Sequence, residues 1–133
     1  MSSQNVETIQ GMYRSFAKGD VEAVLERMAS TIEWNEAESF PYADRNPYVG
    51  PTAVLEGVFA RIGDEWESFQ VSPEEFIDAG DAVIVQGRYR GKYKKTGAQV
   101  DAQFAHVWRV AGGKVNSFQP YADTAQFAKA TGG

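Results

Sequence analysis

The stretch FAHVWRVAGGKVNSFQPYAD, residues 104–123, holds the only histidine of the chain, His106, inside a run of apolar and aromatic residues. Strand side chains alternate in direction, so Ala102, Phe104, His106 and Trp108 share one face. Gln103, Ala105, Val107 and Arg109 share the other. Histidine titrates near neutrality, so His106 either carries a proton at the wall of a cavity or sits in a core with one hydrogen-bond partner. A carboxylate stands in a comparable setting near the other end of the chain. In STIEWNEAE, residues 30–38, a two-residue period puts Ile32, Trp34 and Glu36 on one face. Burial among aromatics raises a carboxyl pKa, which suits it to take a proton from carbon beside a carbonyl. Glu38 is the neighbouring rival, and either group could instead be solvated at a strand end.

These residues need elements to hold them. Val6, Ile9, Met12, Tyr13 and Phe16 recur at helical spacing over residues 4–18, which predicts a first helix with one apolar stripe. Tyr13 on that stripe is either core or a phenolic donor to a cavity. KGD then ends the helix, and Asp20 is placed to cap a second one bearing Val21, Val24, Leu25 and Met28. Residues 37–51 hold three prolines and three aromatics and read as a loop. Its Phe40, Tyr42 and Tyr48 either form a lid or pack against a second subunit. Thr52 can cap a third helix carrying Val54, Leu55, Val58, Phe59 and Ile62. Strand patterns follow over 69–78, 82–93, 99–110 and 114–122, separated by the turn signals DAGD, KTG and AGG. TAQFAKA closes the chain as a short amphipathic segment, with Asp123 or Thr124 at its cap. Helices first and a meander of long strands after them predict one α+β domain over residues 1–133.

Composition narrows the functions. An apolar fraction of 43% with 13% aromatics belongs to a globular chain rather than a disordered one. Without cysteine there is no disulfide, thiol nucleophile or zinc-thiolate site, and one unclustered histidine makes a poor transition-metal ligand set. No phosphate-binding glycine loop occurs, so neither a metal nor a cofactor is expected. The basic, aromatic run RYRGKYKK, residues 88–95, is the one hint of nucleic-acid binding. In a chain of net charge −5 it reads better as a solubilised hairpin end, so no nucleic-acid partner is expected. No apolar run approaches the ~20 residues of a membrane span. MSSQNVETIQ lacks the features of a secretory signal, so a cytoplasmic location is expected by default.

GDVEAVLERMASTIEW, FIDAGDAVIVQGRYRG and HVWRVAGGKVNSFQPYADTA, in this order, resemble the SnoaL-like polyketide cyclases. That group lies in the nuclear-transport-factor-2-like superfamily, with the ketosteroid isomerases, limonene epoxide hydrolase and scytalone dehydratase. The resemblance runs through nearly the whole chain and implies a cone: a curved, mostly antiparallel sheet around three helices, with an apolar pocket inside. It also implies a homodimer through the outer sheet face. It places Glu36 where the isomerases hold their carboxylate base and His106 where they hold an oxyanion donor. Asp123 falls at an acidic position that recurs in SnoaL-like proteins, although capping alone explains an Asp there. The epoxide hydrolase pattern is not met. Pro120 stands where those relatives place a carboxylate, and Ala82 and Ile84 where they place an acidic pair. Scytalone dehydratase uses more than one histidine.

The expected lining is Phe16, Trp34, Phe59, Phe104, Trp108 and Phe118, with Tyr13 as the polar exception on the helix side. Gln86 and Arg88 share a strand face and would recognise a carbonyl or carboxylate if that face is internal, and are solvated if it is external. The implied function is binding of a small hydrophobic, carbonyl-bearing molecule, with isomerase- or cyclase-type acid–base chemistry. The alternatives are a non-catalytic binding protein and a dimeric interaction module with a plugged pocket.

Overall fold

In the computed structural model, which describes residues 2–132, the first apolar stripe forms helix α1 (Ser2–Ala17). The Asp20 carboxylate accepts a hydrogen bond from the Ala23 amide at 3.2 Å and caps α2 (Val21–Glu26). Met28, expected on the second helix, instead opens strand β1 (Met28–Trp34), because it is already in register with Val115 of the last strand. Strand pairing there overrides the helical spacing.

The proline-rich segment is more ordered than a bare loop. It holds a 3-10 turn (Pro41–Arg45) and a two-residue strand, β2 (Tyr48–Val49), antiparallel to β1. The third helical region runs through α3 (Pro51–Val54), a π-helical turn (Leu55–Phe59) and α4 (Ala60–Glu65). Its cap position is Gly50 rather than Thr52, since Pro51 takes the first helical position, where a missing N–H costs nothing. Within the π turn Gly57 lies under the Tyr48 ring, and a Cβ built there would come within 2.2 Å of a ring carbon. Gly57→Ala is therefore expected to lower stability by about 1–3 kcal/mol. Thermal denaturation checks this, and an unchanged melting temperature would show that Tyr48 moves aside freely.

Strands β3 (Trp66–Asp78), β4 (Ala82–Tyr93), β5 (Gln99–Ala111) and β6 (Lys114–Ala122) form the meander, and α5 (Thr124–Ala130) follows. β3 begins three residues earlier than the residue pattern indicates, at Trp66, directly from α4. The sheet order is β2-β1-β6-β5-β4-β3, antiparallel throughout except for the parallel pair β1 and β6. Register shifts at Trp66/Ser68 and Pro73/Glu75 on β3, and at Arg109/Val110 on β5, bend the strands. The result is a curved, unclosed mixed sheet with helices on its inner side: the α+β cone of the nuclear-transport-factor-2-like fold. α1 lies against β3 and β4, α3 against β1, and α5 against β5. Among the described residues no helix is long and apolar enough to cross a membrane.

Candidate functional site

The inner face of β5 is Val100, Ala102, Phe104, His106, Trp108 and Val110, each buried, so alternation along this strand reads as the sequence indicates. Between this face, α1 and the third helical region lies a narrow cavity of about 70 Å³. Nearly all of its wall is hydrocarbon or aromatic ring. Tyr13, Phe16, Trp34, Phe59, Trp108 and Phe118 line it, and so do Glu36 and His106. Trp34, Trp108 and Phe118 pack as a triad with ring centroids 4.1–5.7 Å apart, tilted or edge to face.

His106 is 3% exposed and is hydrogen-bonded at both ring nitrogens. Nδ1 is 2.5 Å from Tyr13 Oη, and Nε2 is 2.5 Å from Tyr89 Oη. Trp108 Nε1 donates to the same Tyr13 oxygen at 2.9 Å. Phe104 lies flat on the imidazole, centroid to centroid 3.8 Å with planes 9° apart, which fixes the ring plane. Desolvation pushes the His106 pKa well below its ordinary value, so the ring is neutral. Burial raises both tyrosines well above the usual phenol range, and they remain protonated.

Glu36 sits two residues beyond the end of β1, yet its side chain keeps the inward direction of Trp34 and is 7% exposed. Asn46 holds it there. The Glu36 amide donates to Asn46 Oδ1 and Asn46 Nδ2 donates to the Glu36 carbonyl, both at 2.9 Å. Trp34 Nε1 donates to Glu36 Oε2 at 2.5 Å, whereas Oε1 takes no hydrogen bond from the described residues. Burial raises the carboxyl pKa to about 7, with the Trp34 bond working the other way. Glu36 and Tyr89 both line the cavity, and the Glu36 charge adds to the burial that raises that phenol. Glu38, its rival, is exposed.

Other expectations find different places. Phe104 does not line the cavity; it is the platform under His106. Gly87 opposite makes room for it, since a Cβ there would lie 2.8 Å from the Phe104 ring and 2.2 Å from the Ser72 carbonyl. Gln86 and Arg88 point outward, because the inner face of β4 is Val83, Val85, Gly87 and Tyr89. Arg88 instead donates to Asp101 at 2.7 Å on the outer surface. The acid-free reading of this strand therefore belongs to Val83 and Val85 rather than to Ala82 and Ile84. Asp123 stands at the cap position of α5, accepts from Gln126 Nε2 at 2.9 Å and lies on an outer concavity with Tyr121. Phe40 lines the cavity, while Tyr42 and Tyr48 are buried beside the third helical region. Met12, Val24, Val58, Ile62, Phe69, Val71 and Tyr89 complete the wall without having been singled out as site residues. Tyr89 matters most, and its signal was the two-residue period running back to Val85. Among the described residues no group of three or more His, Cys, Asp or Glu is gathered for a metal.

The fold has relatives among solved structures. An NTF2-like protein from Burkholderia thailandensis E264 is similar at 35% identity over 94% of this chain and 95% of its own, with a TM-score of 0.90. TerC, solved with polyporic acid, is 26% identical over 98% of this chain and 99% of its own, with a TM-score of 0.86. A protein of ketosteroid isomerase-like fold from Catenulispora acidiphila DSM 44928 shares the fold at 19% identity, over 95% and 92%, with a TM-score of 0.78. A comparison with curated proteins finds no match. The SnoaL-like domain model matches residues 9–118, most of the chain, including the helix of Tyr13, the loop of Glu36 and the strands of Tyr89 and His106. The chain belongs to the SnoaL-like domain family of nuclear-transport-factor-2-like proteins.

Proposed function

We propose that this protein binds a small, largely apolar molecule carrying a ketone or enol oxygen, and moves a proton at the adjacent carbon. The observation that carries the reading is Glu36: a carboxyl buried in an aromatic cavity, with a pKa of about 7 and one oxygen unbonded among the described residues. At neutral pH such a group is divided between base and acid, the condition under which one side chain can both remove and return a proton. The hydroxyl and imidazole network on the same cavity supplies the complementary donor. A donor aimed at a developing enolate oxygen contributes ~3–4 kcal/mol in a water-poor site. The apolar wall selects hydrocarbon or aromatic ligands. That TerC was solved with polyporic acid supports a cavity in this family that admits such molecules.

A thermal-shift screen with polyporic acid, steroid enones, terpenoid ketones and aryl ketones tests it. A ligand at ~100 times its dissociation constant adds about 2.7 kcal/mol, a rise of several degrees. The expected result is a rise with at least one ketone, accompanied by exchange of its α-hydrogen for deuterium in D₂O faster than in buffer. Binding without exchange would reduce the protein to a binding module. No shift across the panel would remove the ligand-site reading and favour an interaction module.

A further inference from the structure

The indole N–H of Trp108 can only donate, and it points at Tyr13 Oη from 2.9 Å. A phenol oxygen is close to trigonal. Its ring carbon, its own hydrogen and one good acceptor direction share the ring plane, so Trp108 fills the acceptor direction. The direction left belongs to the phenol's own proton, and the atom there is His106 Nδ1 at 2.5 Å. Tyr13 thus donates and Nδ1 accepts. A neutral imidazole whose Nδ1 accepts carries its one hydrogen on Nε2. That hydrogen faces Tyr89 Oη, again at 2.5 Å. Tyr89 accepts it and must turn its own O–H elsewhere. Among the described residues its hydroxyl has no second hydrogen-bond partner, and the side chain lines the cavity. The opposite order would aim two N–H groups at Tyr13 and force its proton out of the ring plane. In the favoured order all the bonds run one way, from Trp108 through Tyr13 and His106 to Tyr89, and each polarises the next.

From this ordering we infer that Tyr89, rather than His106 or Tyr13, presents the proton that a ligand's oxygen meets. His106 is then a positioning residue, locked as its Nε2–H tautomer on the Phe104 ring. The inference rests on the reading of the cavity as a ligand site, and it assigns the donor half of that site. With Glu36 on the same cavity, a bound ketone would meet a base near its α-carbon and the Tyr89 hydroxyl at its oxygen.

Two measurements decide it. The chain has one histidine, so a long-range ¹⁵N–¹H spectrum of ligand-free protein reports His106 without assignment. The expected pattern is an unprotonated Nδ1 and a protonated Nε2. A protonated Nδ1 with a bare Nε2 would hand the role to Tyr13 and overturn the inference, as would an imidazolium. The second compares 2-acetylnaphthalene with 2-isopropylnaphthalene, in which a methyl group stands where the ketone oxygen was. Tyr89→Phe should weaken the ketone roughly tenfold and leave the hydrocarbon within twofold. Equal losses for both, or none, would overturn the assignment. If wild-type protein binds neither probe, the ligand-site reading is what fails, and the spectrum still decides the tautomer.

Discussion

Replacing Glu36 by glutamine is expected to lower the rate of α-proton exchange in a bound ketone by ~10²–10⁴-fold, while the ligand's dissociation constant changes by less than about threefold. The substitution keeps the shape and the acceptor. A glutamine carbonyl still receives the Trp34 N–H, and the Asn46 clamp acts on the backbone, not the side chain. What it removes is the ability to take a proton. The wild-type rate should also rise with pH through about 7 and level off above, since only the carboxylate form is a base. His106 adds no second limb there, because its pKa is pushed well below the ordinary histidine value. Exchange followed by NMR in D₂O, from pH 5.5 to 8.5, reads both effects. A Glu36→Gln protein with undiminished exchange would move the chemistry to another group.

The same substitution is expected to stabilise the folded protein at alkaline pH. The Glu36 carboxyl has an ordinary pKa of 4.5 and a folded value of about 7. Below 4.5 both states hold the proton and the group contributes no difference. Between 4.5 and about 7 the native state keeps a proton that the unfolded chain has released, so the native state binds more protons and stability falls as pH rises. Above about 7 the loss is complete and constant. Over that interval the difference amounts to roughly 3 kcal/mol, the penalty of a carboxylate in an aromatic cavity. Glutamine carries no such charge. Urea denaturation should find the two proteins alike near pH 4.5 and Glu36→Gln the more stable by up to ~3 kcal/mol at pH 8.5. Parallel stability curves across this range would mean that water reaches the carboxylate in the native state. The residue with the greatest expected chemical effect is thus also one that works against the fold.

Much of this arrangement was legible in the residue pattern. The inner face of β5 could be read directly, because polar Gln103 and Arg109 mark the outside and leave Phe104, His106 and Trp108 within. Trp34 similarly pointed to Glu36. β4 was harder, and for a physical reason. Its first residues, AVIV, are apolar on both faces, so alternation fixes the period but not the phase. The phase is set by pairing with β5, which puts Val85 opposite His106 and Gly87 opposite Phe104. Gln86 and Arg88 therefore fall outside and Tyr89 inside, in a stretch that reads by composition as a charged hairpin end. Asn46 was invisible for another reason. It grips Glu36 from ten residues away through backbone groups, and no spacing rule describes a loop closing on itself in that way.

The bond from Tyr13 to His106 joins residues 93 apart in sequence, and that from Trp108 to Tyr13 joins residues 95 apart. β1 likewise pairs with a distant strand, β6, with Met28 opposite Val115. Such separations place closure of the chain before the reward of the contact, so these bonds form late and belong to slow, non-local assembly. A partly folded chain with β3, β4 and β5 in register but α1 undocked would keep a hairpin core and still lack the Trp108–Tyr13–His106 chain. The fixed order of donors that ends at Tyr89 is therefore a property of the finished topology, since without α1 in place Tyr13 is missing from it.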